Sequence, residues 1–145
     1  MRTTTAYAKA YAAAGAYAKS AGTLLAITGN QVSRHSVEEA ARFIRTAPIK
    51  AKAPGALPVL ESELNFVYAY VGAVERVLKY PERGVAIGFL GQSTLESAWH
   101  PPFAPVRKTE RFKTFVRKAG LATYWRVRGW HDLCHPTTGD DFACD

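Results

Sequence analysis

With 145 residues, 48% of them apolar and 21% charged, the chain has the composition of one folded domain rather than of a disordered segment. A domain of this length buries roughly two-thirds of the surface its unfolded chain exposes, so it needs no metal or disulfide staple to fold. The formal net charge of +7 favours acidic proteins, phosphates, nucleic acid or anionic surfaces as partners and says nothing about fold. No run approaches the roughly 18 consecutive apolar residues of a membrane span. The alanine-rich start is interrupted by Lys9 and Lys19 and lacks the apolar core and cleavage site of a secretory signal, so a cytoplasmic address is expected.

Residues 5–27 form the first predicted element. Alternating alanines from Ala6 to Ala18 give high helix propensity, Tyr7, Tyr11, Leu24 and Leu25 add bulk, Gly15 and Gly22 soften the helix, and Gly29 with Asn30 supplies a stop. Tyr7, Tyr11 and Tyr17 are expected to pack at the helix surface. Next, Ser36-Val37-Glu38-Glu39 has the capping-box form, which predicts a helix beginning there with Glu39 reaching back to the serine amide. Val37, Ala40, Ala41 and Ile44 line one face, Phe43 widens the stripe, and Pro48 bars continuation by biasing Ala47 away from helical angles. His35 falls outside the cap and is expected to be exposed.

A linker follows over residues 49–57, marked by Pro54-Gly55. Beyond it Leu60, Leu64, Val67, Val71, Val74 and Leu78 alternate steps of four and three beside a second stripe of Phe66, Tyr70, Ala73 and Val77, the mark of helix buried on more than one side. A turn is expected at Gly72, with Pro81 kinking the second helix. Gly84, Gly88 and Gly91 permit close packing up to Leu90, and Trp99-His100-Pro101-Pro102 imposes an extended approach to what comes next.

The segment 103–130 concentrates the charge: eight basic residues stand against the single acid Glu110, so its balance of +7 equals that of the whole chain. Phe112, Phe115, Val116 and Ala119 recur at helical spacing, with Gly120 as the stop, Leu121 folding back on Val116, and a second short helix over 121–128. Phe112, Phe115 and Trp125 are expected to be core anchors.

The run YAYVGAVERVLKYPERGVAIGF, followed by WHPPFAPVRKTERFKTFVRKAGLATYWRVRGWHDLC, resembles the C-terminal part of bacterial tetratricopeptide-repeat proteins, some of which are joined to nucleotide-cyclase or winged-helix regulatory domains. The resemblance covers residues 57–145. It implies an all-α fold, a right-handed array of helix pairs with a short helical C-terminal cap, in which Gly72 is the turn within a repeat, Val77 and Gly84 take small-residue positions, and the APVRKTERF segment caps the array without catalytic residues. Val77 and Gly84 stand where alanines are usual, Pro81 stands where an aromatic is preferred, and about two helix pairs are present instead of the three that normally close a core. The expected organisation is one domain: a helix pair over 1–48, the linker 49–57, a repeat-like pair over 58–100, cap helices over 101–130 and a tail over 131–145.

No catalytic, cofactor or metal site is expected. Glu61, Glu63, Glu75, Glu82 and Glu96 form no acidic pair within an apolar stripe and read as solvated. His131, Cys134, His135, Asp140, Asp141 and Cys144 include zinc-ligand types, yet their spacing fits no zinc pattern. A bridge between Cys134 and Cys144 competes with two free thiols, which a reducing cytoplasm favours. Cys134 beside His135 on a Pro136- and Gly139-containing tail is a poor nucleophile platform, and no phosphate-binding loop is present. The leading function is therefore a non-catalytic scaffold that binds a protein or peptide, or associates with itself. The alternative is a nucleic-acid module in which Arg107, Lys108, Arg111, Lys113, Arg117, Lys118, Arg126 and Arg128 meet phosphates and Tyr124, Trp125 and Trp130 stack on bases.

Overall fold

The computed structural model of the chain describes residues 2–29, 32–47, 56–91, 96 and 98–145. It divides into two compact units, Met1–Tyr80 and Pro81–Asp145. Helix predominates, as the periodicities require, and the described residues include no helix long and apolar enough to cross a membrane.

In the first unit the expected helix over 5–27 is two helices, α1 (Arg2–Ala13) and α2 (Tyr17–Leu25). Gly15 does more than soften the element. At φ 74° it adopts a left-handed conformation that costs a residue with a Cβ, and the Gly15 and Ala16 amides donate back to the Ala12 and Tyr11 carbonyls in the two bonds of a Schellman stop. The chain then reverses. α2 lies against both α1 and α3 (Arg34–Thr46), and the alanines make this close approach possible: Ala8, Ala12 and Ala21 are buried, and the Ser20 hydroxyl donates to the Ala8 carbonyl at 2.7 Å. Tyr7 and Tyr11 remain exposed, while the Tyr17 ring meets Tyr70 edge-on.

α3 buries the expected stripe of Val37, Ala40, Ala41, Phe43 and Ile44, and Ala47 at ψ 144° leaves the helix one residue before Pro48. His35 is exposed. The cap is not Ser36. Ser33, extended at ψ 146°, accepts from the Ser36 amide at 3.2 Å, which places Ser36 inside the first turn. The partner of the cap amide comes from afar: Glu61 accepts from the Ser33 amide at 2.9 Å and from the Ser33 and Ser36 hydroxyls. Glu39, predicted for that role, forks onto Arg42 instead. Glu61 thus closes the capping box across the fold, joining the start of α3 to the segment entering the next element.

That element is a 3-10 turn over Ser62–Phe66 running into α4 (Val67–Tyr70), then α5 (Val74–Val77) and α6 (Lys79–Ala86). The turn at Gly72 is present, with φ 71° and the Ala73 amide donating back to the Tyr68 carbonyl. The break that was assigned to Pro81 falls at Leu78, so Pro81 sits in the first turn of α6, where its missing amide breaks no intrahelical bond. Leu60, Leu64, Phe66, Val67, Tyr68 and Val71 are buried, and two polar groups among them are satisfied: Asn65 donates to the Val77 carbonyl and Tyr68 to the Pro58 carbonyl. Of the linker, only residues 56 and 57 lie among the described residues.

The second unit begins within α6. His100 is extended, as expected before two prolines, and a 3-10 turn over Pro101–Phe103 leads into α7 (Ala104–Arg107). α8 (Glu110–Lys118) is capped by Thr109, whose hydroxyl accepts from the Phe112 amide. Gly120 at φ 75° stops it, and α9 (Leu121–Arg128) follows over the predicted residues. Within the tail the last residues form a hairpin of β1 (Cys134–Pro136) and β2 (Phe142–Cys144), antiparallel, with Cys134 opposite Cys144 and Pro136 opposite Phe142.

Candidate functional site

Phe112, Phe115, Val116, Ala122 and Trp125 turn inward from α8 and α9, and the hairpin adds Phe142, which has no exposed surface. The rings of Trp99, Phe112, Trp125, Trp130 and Phe142 form a chain of tilted and edge-on neighbours with centroids 5.6 to 6.2 Å apart. The aromatic residues of the basic segment therefore serve mainly as its core, and Trp125 is not placed to stack on a base. Tyr124 and Val127, one turn apart on the outside of α9, are 60% and 78% exposed.

The eight cations separate into distinct environments. Arg107 is buried, at 3% exposure, and its guanidinium donates to three backbone oxygens: Asp145 at 2.6 Å, Ala98 at 2.7 Å and His100 at 3.1 Å. Burial pulls its pKa below the ordinary guanidinium value against the opposing influence of Asp145. Arg111 forks onto Glu82 through bonds of 2.6 and 2.7 Å. Lys113 pairs with Glu110 and Asp141, Arg117 meets Asp141 at 2.6 Å, and Arg126 donates to the Asp140 backbone oxygen at 2.5 Å. Only Lys108, Lys118 and Arg128 are exposed with no ion-pair partner among the described residues. The excess charge of this segment is thus largely answered by acids and carbonyls that come from elsewhere in the same unit. The Phe142 amide and Lys113 hold the Asp141 carboxyl below its usual range.

Several acids expected to be solvated are instead partners. Glu61 closes the α3 cap, with the Ser33 amide holding its carboxyl below the usual range against burial, while Glu63 meets Lys9 at 3.0 Å and Glu82 holds Arg111. The two cysteines, expected to be free thiols in a reducing compartment, are joined. The hairpin register explains the pairing, because directly opposed residues of an antiparallel pair bring their side chains together, and the Cα atoms lie 4.1 Å apart. Neither sulfur remains to bind zinc, and no cluster of three or more His, Cys, Asp or Glu suited to a metal occurs among the described residues.

In the sequence His131 is notable only as a zinc-ligand type whose spacing fits no zinc pattern. Its ring lies flat on Trp99, with centroids 3.8 Å apart, and its Nδ1 accepts from the Leu133 amide. Burial lowers its pKa, opposed by Asp132 and reinforced by Arg107. A depressed folded pKa means that the unfolded chain takes up the proton first. The His131 contribution is therefore complete above the unfolded value of about 6.5 and declines as pH falls from there towards the folded value. The thermal midpoint should drop as pH falls below about 6.5, above the range where carboxylates titrate, and His131→Phe should flatten this part of the profile. A variant profile as steep as that of the parent would assign the effect to another group.

Comparison of the chain with protein-family models, curated proteins and solved structures finds no match.

Proposed function

We propose that the chain is a non-catalytic, tetratricopeptide-like helical module that binds a protein or peptide partner. The supporting observation is the fate of the basic segment: Arg107, Arg111, Lys113, Arg117 and Arg126 are engaged within the unit, and Trp125 is in the core, so little of the cation and ring surface that nucleic acid requires is on offer. Tyr124 and Val127 present an apolar contact of the kind protein interfaces use at their centres, edged by Arg128. Cytoplasmic residence belongs to the same proposal, and there the Cys134–Cys144 bridge fits a redox-responsive thiol pair.

The nucleic-acid alternative rests on Lys108, Lys118 and Arg128. An anisotropy titration with single- and double-stranded DNA and RNA at two salt concentrations separates the readings. Three available cations allow weak, sequence-independent binding with a shallow salt slope. A tight complex that survives physiological salt, about 0.15 M, would overturn the scaffold proposal.

A further inference from the structure

The turn joining β1 to β2 lays the Asp141 carboxylate on two cations of α8 and brings Asp140, its carboxylate fully exposed, within reach of Arg126 on α9. Asp141 lies 3.1 Å from the Lys113 ammonium and 2.6 Å from the Arg117 guanidinium, and Arg126 reaches both the Asp140 backbone oxygen and, at 3.7 Å, its carboxylate. The next residue, Phe142, is wholly buried against Trp125 and Trp130, with the Arg117 guanidinium 5.3 Å from its ring centre. Residues 140–142 are therefore an acidic, acidic, aromatic peptide docked on the two helices. The surface beneath them is complementary in charge to the Asp141 carboxylate and receives the Phe142 ring.

Little in the hairpin itself keeps it in place. Each strand has three residues, one of β1 is a proline with no amide to donate, and an isolated two-stranded hairpin is marginal in water. The Phe142 contact, the Arg107 bond to the Asp145 backbone oxygen and the Cys134–Cys144 bridge hold it closed. We infer that the Lys113, Arg117 and Arg126 surface is a docking site for an acidic peptide with an aromatic residue after its carboxylates, occupied in cis by residues 140–142 and released by reduction of the bridge. This rests on the protein-interaction reading, whose partner it specifies. In the release step the thiolate of a dithiol attacks one sulfur and the S–S bond breaks. Two electrons and two protons pass to leave two cysteine thiols, and the dithiol closes to its own disulfide. Without the covalent closure the hairpin can yield its place to a peptide in trans.

A fluorescein-labelled peptide TGDDFA, the chain's own residues 138–143, is the probe. Its anisotropy is measured with the full chain oxidised, with the chain reduced by dithiothreitol, and with the oxidised double variant D140A/D141A. Reduction should tighten binding roughly tenfold or more, because the tethered competitor loses its effective-concentration advantage. The double variant should bind better than the oxidised parent through its uncovered cations, and adding Arg117→Glu should remove that gain. Equal affinity in the oxidised and reduced states, with the near-ultraviolet dichroism of the reduced protein intact, overturns the lock. Should reduction unfold the unit, the oxidised double variant decides: binding no tighter than that of the parent overturns the site. Absent peptide binding beside weak nucleic-acid binding defeats this proposal alone, whereas a tight, salt-resistant nucleic-acid complex defeats the reading beneath it.

Discussion

Replacing Arg107 with methionine should destabilise the second unit by about 2 to 4 kcal/mol, since a buried acceptor left unsatisfied costs roughly 1 to 3 kcal/mol. Methionine keeps much of the packing volume of the arginine stem. The loss therefore reports the three backbone oxygens of Ala98, His100 and Asp145, which share one guanidinium and are left without a donor. Arg107→Lys should recover little, because a single ammonium does not reproduce the planar fork that spans acceptors on separate stretches of chain. Denaturant unfolding followed by circular dichroism measures both variants. A methionine variant within about 0.5 kcal/mol of the parent would show that water satisfies those oxygens equally well.

A comparable loss, on the order of 3 to 5 kcal/mol, is expected for Phe112→Ala. Phe112 is 1% exposed and meets Trp99 edge-on and Phe115 at a tilt, so truncation leaves a cavity walled by rings that cannot easily collapse into it. Phe115→Ala should act in the same direction, and the double variant should cost less than the sum because the two rings share a contact. Tyr124→Ala, at 60% exposure on the outer face of α9, should change stability by no more than about 0.5 kcal/mol. An unchanged melting curve for Phe112→Ala, together with lost partner binding, would move that ring from the core to the surface.

Features governed by neighbouring residues were legible in the sequence. The stripe of Val37, Ala40, Ala41 and Ile44, the end of α3 before Pro48, the turn at Gly72, the stop at Gly120 and the extent of α9 follow from periodicity and local backbone preference, and all are present. The α3 cap was misplaced for a different reason. No acid stands three residues after Ser33 to mark it as a capping box, and the deciding carboxylate, Glu61, lies 28 residues from it. Gly15 was underweighted because a run of alanines carries helix propensity straight across it. The candidate site was the least legible part. A count of charge along 103–130 does not reveal that Glu82, Asp140 and Asp141 return to meet it, nor that Arg107 lies inside the fold. The hairpin escaped notice because three-residue strands are too short to show alternation, although the pair of cysteines around a Gly139 turn was a visible clue.

The distribution of the aromatic residues has a spectroscopic consequence. All three tryptophans, Trp99, Trp125 and Trp130, lie in Pro81–Asp145, whereas six of the seven tyrosines lie in Met1–Tyr80. Excitation at the red edge of the indole band therefore reports the second unit alone, and the tyrosine ultraviolet signal comes mostly from the first. Two intrinsic chromophores allow the melting of each unit to be followed in an unlabelled chain. The Trp99 ring stacked on His131 adds a local probe, since a proton gained by the imidazole changes the indole emission beside it.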